Sequence, residues 1–285
     1  MKLFALACVT LLAACPPPGN TTGAGGGGRG GGGGGVAISP DGCGSINTTD
    51  TGRKLYSFLV ASAELDRASI ELEGSIAGAC RKMARILGVD DTGDTKAVCT
   101  RAATELDANL KVSVKTESRL VTKHTPPVCE TKVGFEAGVI AECEGRAVAN
   151  NNGANASAEC RASAEIRASI HTECSEPKVE IVRENVTVVD DSKFQKAMAA
   201  IEAGMPAILR ATKKLELTGK ALGNWVSTGA ELVQSSGKLV ADLGEKGVCV
   251  AGQLLAVAAA STNIQARVSV SIEVSASVSA SAGAN

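Results

Sequence analysis

Residues 129–174 read CETKVGFEAGVIAECEGRAVANNNGANASAECRASAEIRASIHTEC, and the way this stretch folds back on itself decides the architecture. From Ala158 to Cys174 it alternates. Cys160, Ala162, Ala164, Ile166, Ala168, Ile170 and Thr172 fall on one face, and Arg161, Ser163, Glu165, Arg167, Ser169, His171 and Glu173 on the other. A period of two over such a length predicts a half-buried strand. Val133, Phe135, Ala137, Val139 and Ala141 repeat the pattern upstream, and Asn150-Asn151-Asn152-Gly153 between the arms is a hairpin turn signal.

In an antiparallel hairpin, opposed residues have numbers that add to a constant. At 303, Cys129 meets Cys174 and Cys143 meets Cys160, while Phe135 faces Ala168, Ala137 faces Ile166 and Val139 faces Ala164. Glu136 then opposes Arg167 and Glu142 opposes Arg161 on the outer face. A slip of one residue would break cysteine pairing, volume and charge together. Joining Cys129 to Cys143 instead would have to bridge about 45 Å of straight strand, where a disulfide spans roughly 4.4–6.8 Å. The expectation is a doubly stapled β-ribbon over residues 129–149 and 158–174. Each arm also has thirteen residues between its cysteines; duplication and convergence both account for that.

The N-terminus places the cysteines in an oxidising compartment. Met1-Lys2 and the apolar run Leu3 to Ala14 have the parts of a secretory signal over residues 1–14, and the run is shorter than the roughly 20 residues of a spanning helix. Leu12-Ala13-Ala14-Cys15 resembles the lipobox of bacterial lipoproteins. The resemblance implies that Cys15 is acylated and is the membrane anchor. Pro16-Pro17-Pro18 and the glycine tract through Gly35 make residues 15–42 a tether reaching roughly 25 Å. A single domain over 43–285 follows. Its eight cysteines read as disulfides rather than a metal site, because there is no Cys-x-x-Cys pair and only two histidines, His124 and His171. Cys80 and Cys99 lie at nearly equal distances from the middle of the connection at 88–92, so a helical hairpin joins them. Cys43 and Cys249 pair by elimination.

Three helices are expected. Over 52–87, Phe58, Leu65, Leu72, Ala79 and Ile86 form one heptad column; a second, marked by Leu55, Ile76 and Met83, is interrupted by Ser62 and Ser69. The next spans 95–109. The third spans 192–260, capped by Ser192 with Gln195, with Phe194, Ile201, Ile208, Leu215 and Leu222 in column and a kink at Pro206. Further alternation predicts strands at 110–121, 179–189 and 264–282. The last would run about 60 Å, and the first helix about 50 Å. The fold class is α+β: an elongated helical bundle with a stapled antiparallel ribbon and a long C-terminal strand.

Thr95-Lys96-Ala97-Val98-Cys99, Pro126-Pro127-Val128-Cys129, Glu142-Cys143-Glu144-Gly145, Cys174-Ser175-Glu176-Pro177-Lys178-Val179-Glu180 and Cys249-Val250-Ala251-Gly252-Gln253 resemble segments of Cys/Ala-rich lipoproteins from myxobacteria and related soil bacteria. The resemblance covers most of residues 50–285 and implies a lipoprotein of a two-membrane envelope. It carries no activity with it. Relatives in that group have a longer cysteine-rich insertion where this chain has Asn150 to Ala156.

Composition narrows the function. Aromatic residues are 2% of the chain and net charge is −1, so nothing favours nucleic acid as a partner. Binding hot spots are usually built from aromatics and arginine. His124 precedes a Pro-Pro turn, His171 points outward, and oxidised cysteines supply no thiolate. The expectation is a chain without catalytic residues, cofactor or metal: a lipid-anchored envelope protein serving as scaffold or adhesion module. It would sit in the outer membrane, since Pro16 is not the aspartate of inner-membrane retention, and would meet an envelope protein by strand addition. The alternative is a pore-former whose period-two segments, such as 264–282, insert as a β-tongue.

Overall fold

A computed structural model describes residues 37–114, 119–145, 156–184 and 187–283. The signal segment, Cys15, the tether to residue 36 and the Asn150–Gly153 turn lie outside the described residues. A short 3-10 helix, Pro40–Cys43, precedes α1 (Asp50–Leu87) and α2 (Thr95–Ser113). Then come β1 (Arg119–Thr125), β2 (Cys129–Glu130), α3 (Phe135–Glu144), α4 (Ala158–Ile170), β3 (Glu173–Cys174) and β4 (Lys178–Glu184). Three helices close the chain: α5 (Asp191–Gln234), α6 (Ser236–Leu243) and α7 (Glu245–Ser281).

The helix ends follow from local chemistry. Thr49 caps α1 by accepting from the Gly52 N–H at 3.0 Å, and Gly88 ends it in the left-handed region at φ 83°. Gly52 has a second duty: a Cβ there would overlap the carbonyl oxygen of Ile46, where the incoming chain crosses the helix. Asp94 caps α2 through the Ala97 N–H at 2.8 Å. The cap of α5 is Asp190, accepting from the Lys193 N–H at 3.1 Å, rather than Ser192. Pro206 lies inside α5 without ending it.

Helices α1, α2, α5 and α7 pack on one another around one apolar core. Phe58, Leu65, Ile76 and Met83 enter it from α1, Val98 and Leu106 from α2, and Phe194, Ile201, Ile208 and Trp225 from α5. From α7 come Val250, Leu254, Ile264, Val268 and Val278. α4 lies against α1 and α5, with α3 beside it.

The helix expected over 192–260 is broken at Ser235 and at Gly244, whose φ is 59°, into α5, α6 and the start of α7, and two further expectations are overturned outright. The ribbon expected over 129–149 and 158–174 is β-paired only at Cys129↔Cys174 and Glu130↔Glu173; beyond that, the described arms are the helices α3 and α4. Ala137, Ala141, Ala158, Ala162, Ala164 and Ala168 supplied much of the alternation. Alanine is the best helix former and is depleted in strands, so its placement carries little weight in favour of a period of two. The strand expected over 264–282 is the second half of α7. Its buried residues, Ile264, Val268, Ser271, Val274, Ser275 and Val278, follow a helical stripe rather than one face of a strand. Two of them are serines that the alternation assigned to a polar face. A helix also satisfies its own backbone, whereas a lone strand of that length needs a neighbour.

The segment expected as a strand at 110–121 begins as the end of α2. The β-structure there is β1, paired antiparallel with β4 from Arg119↔Glu184 to Thr125↔Lys178. These pairs, the β2–β3 pairs and Cys143–Cys160 all have numbers adding to 303. One register therefore holds across both two-stranded sheets and recurs at the α3–α4 disulfide.

α1 and α5 approach closely at Gly204, where a Cβ would collide with Cγ and Sδ of the fully buried Met83. Gly204→Ala is expected to destabilise by about 1–3 kcal/mol through overpacking, measured by urea unfolding. The cost should shrink when Met83→Ala is made in the same chain.

Candidate functional site

Of the residues singled out from the sequence, Cys15 lies outside the described region. The eight later cysteines are joined as Cys43–Cys249, Cys80–Cys99, Cys129–Cys174 and Cys143–Cys160. These are the pairs reached by spacing and, for Cys43–Cys249, by elimination, although Cys143–Cys160 links two helices rather than two strands. Cys80–Cys99 ties the end of α1 to the start of α2, and Cys43–Cys249 ties the chain before α1 to α7. His124 stands in β1 opposite Val179. His171 follows α4, with Nε2 3.4 Å from Glu64 and its ring against Phe135, centroids 5.1 Å apart. Among the described residues no group of three or more His, Cys, Asp or Glu is arranged to hold a metal ion.

The α3–α4 hairpin docks on α1 through charge. Arg167 of α4 places Nε 3.2 Å from Glu64 and Nη1 4.0 Å from Glu142. The expected pairs Glu136–Arg167 and Glu142–Arg161 are not among these contacts, because winding into a helix turns Arg167 toward α1. Glu144 is buried; its carboxylate accepts from the Ser157 N–H at 2.7 Å and lies 3.8 Å from Lys54 Nζ. Lys54 is held above its ordinary pKa, chiefly by its hydrogen bond to Asp50 and then by the Glu144 charge. Asp50 is lowered by the same bond. Arg53 lies flat under Gly145, where φ is 65° and a Cβ would meet the guanidinium at 2.6 Å. Beside it, Asn47, Tyr56, Ser57 and Arg167 line a cleft of about 250 Å³. Every cation here already has a carboxylate close by or, for Arg53, the Asp50 oxygen at 3.2 Å. This arrangement fastens elements together.

A different opening lies between α1 and α5. These helices run antiparallel with facing numbers that add to 287. Met83 faces Gly204, Trp225 Nε1 donates to Ser62 Oγ at 2.9 Å, and Phe58 lies against Gly229. A large side chain meets a small one each time. At Ser69 and Thr218 the same register sets small against small, and a cleft of about 240 Å³ opens there. Leu72, Ile170, Ala207, Ala211 and Val268 wall it, with Arg210 and Lys214 at its edge. The sequence carried the signal as the two serines that interrupt the apolar column of α1. Ser62 takes up the indole of Trp225; Ser69 accepts from Arg267 at 3.2 Å and leaves the gap.

Compared with protein-family models, with curated proteins and with solved structures, the chain has no match.

Proposed function

We propose that the chain is a non-catalytic lipoprotein of the cell envelope, anchored in the outer membrane by lipid on Cys15, and that its folded part serves as a scaffold or interaction module. The observation that carries this reading is the cross-linking: all eight cysteines from Cys43 onward are bonded. Such density belongs to an oxidising compartment and accords with the export signal and lipobox. Cys43–Cys249 fastens the bundle close to where the tether joins it. Likeness to the Cys/Ala-rich lipoproteins of myxobacteria points the same way. β1 and β4 pair only with each other among the described residues, so each presents an outer edge to which a partner strand could add.

The test is lipid itself. Expressed in a Gram-negative host fed an alkyne-tagged fatty acid, the full chain should take up label and enter the detergent phase of a phase-separation assay. Cys15→Ser should do neither. Label retained by Cys15→Ser, or an unlabelled full chain, would sink the proposal.

One observation favours the membrane-active alternative. By length and composition α7 could cross a bilayer, and only a third of its most apolar window is buried. The period-two segments that suggested a β-tongue are largely helical, so that reading now rests on α7. Dye release from anionic liposomes, with and without reductant, separates the two. Release only after reduction supports the membrane-active reading, and no release in either state removes it.

A further inference from the structure

We infer that the cleft between α1 and α5 is a binding site for an aliphatic carboxylate, with the acid held by Lys214 and Arg210 and the alkyl chain lying on Leu72, Ile170, Ala211 and Val268. Shape, charge and the apolar wall converge there. The first is shape: Ser69 faces Thr218 at the one layer of the α1–α5 contact without a large partner, which leaves about 240 Å³. At roughly 30 Å³ per water-sized group this is room for about eight heavy atoms, enough for the alkyl chain of a medium-length acid whose carboxylate oxygens stay outside, at the Lys214 edge.

The second is charge. Among the described residues the Lys214 ammonium has no carboxylate partner, although it is half-buried at the cleft. Arg210 Nε is buried without an acceptor. The same guanidinium reaches Glu176 at 3.1 Å through Nη2, but the Glu176 side chain is 80% exposed, and an exposed pair of this kind contributes little. An incoming carboxylate can displace it, taking Lys214 as a second partner. Glu71 stands at the opposite rim, so the acid must enter at the α5 side.

The third is the wall. Ala207, Ala211 and Ala68 keep the surface apolar and shallow, and Val268 of α7 closes the floor. An alkyl chain there leaves water at about 0.8 kcal/mol per buried methylene. A phosphate or other compact anion would leave the apolar wall unused, and a neutral alcohol would leave Lys214 unpaired.

The test is titration of the full, oxidised chain with sodium octanoate, read by calorimetry and by amide shifts, with octanol and octyltrimethylammonium as controls. Expected is saturable one-to-one binding with a dissociation constant below about 1 mM and shifts confined to the cleft. Lys214→Gln should weaken it tenfold or more, as charge-assisted hydrogen bonds of about 1.5–3 kcal/mol require. Thr218→Leu should fill the space and abolish it; should that variant fold poorly, Ala211→Leu tests the same wall. No saturation with octanoate, equal binding of the cationic chain, or octanoate affinity unchanged in Lys214→Gln would overturn the assignment. Neither lipid nor membrane enters this assay, so its outcome is independent of the anchoring test.

Discussion

Replacing both Cys43 and Cys249 with serine is expected to cost about 5 kcal/mol of unfolding free energy, the largest effect of removing any one cross-link. The bond closes a loop with a sequence separation of 206 residues. In the chain-entropy treatment the stabilisation grows with the logarithm of loop length. The same treatment gives about 3 kcal/mol for Cys80–Cys99 and Cys143–Cys160, with separations of 19 and 17, and about 4 kcal/mol for Cys129–Cys174 at 45. The loops overlap, so these values are not additive. Guanidinium unfolding of each double variant under non-reducing conditions measures the order. If Cys43/Cys249 proves the cheapest of the four to lose, the long-range bond is not what holds α7 to the start of the domain.

The disulfides were legible in the sequence for a reason that also explains why the ribbon was not. Two antiparallel arms with equal rise per residue bring together positions equidistant from the turn, whether the arms are strands or helices. Cys143 and Cys160 therefore meet at 303 in either case. The pairing is a statement about topology, and spacing suffices to read it. Secondary structure needs the period, and here the period was carried by Ala and Ser. Alternating Ala with Arg, Glu and Ser satisfies a two-fold pattern on paper, yet leaves the preference of alanine for a helix to decide. The same ambiguity misled over 264–282, where the buried Ser271 and Ser275 broke the assumption that serine marks a solvent face. Where the column held Phe, Leu, Ile and Met, as in α1 and α5, the helical period was plain.

The candidate cleft was half legible. Ser62 and Ser69 were visible as breaks in an otherwise apolar column, but a break has two meanings. A small polar residue either makes room for a large partner or leaves space. Which one applies depends on the residue of α5 that stands opposite, and that register is tertiary. Trp225 stands opposite Ser62 and fills its layer; Thr218 stands opposite Ser69 and does not.

That contrast gives the second large effect. Trp225 is the single tryptophan of the chain and is 1% exposed. Its Nε1–H donates to Ser62 Oγ at 2.9 Å, and Ser62 Oγ donates in turn to the Phe58 carbonyl at 2.7 Å. The Phe58 ring lies 6.2 Å from it, nearly parallel. Trp225→Ala should cost about 3–5 kcal/mol, because the indole leaves a cavity between two long helices that cannot collapse around it. Ser62→Ala keeps the packing but strands a buried N–H, at about 1–3 kcal/mol. Trp225→Phe removes the donor and part of the volume together. If the hydrogen bond contributes as the geometry implies, Ser62→Ala should cost clearly less in the Trp225→Phe background than alone. The native tryptophan emission should be blue-shifted, and should stay so in Ser62→Ala with altered intensity. Strict additivity of the two substitutions would mean that Ser62 serves only as a small side chain at that layer.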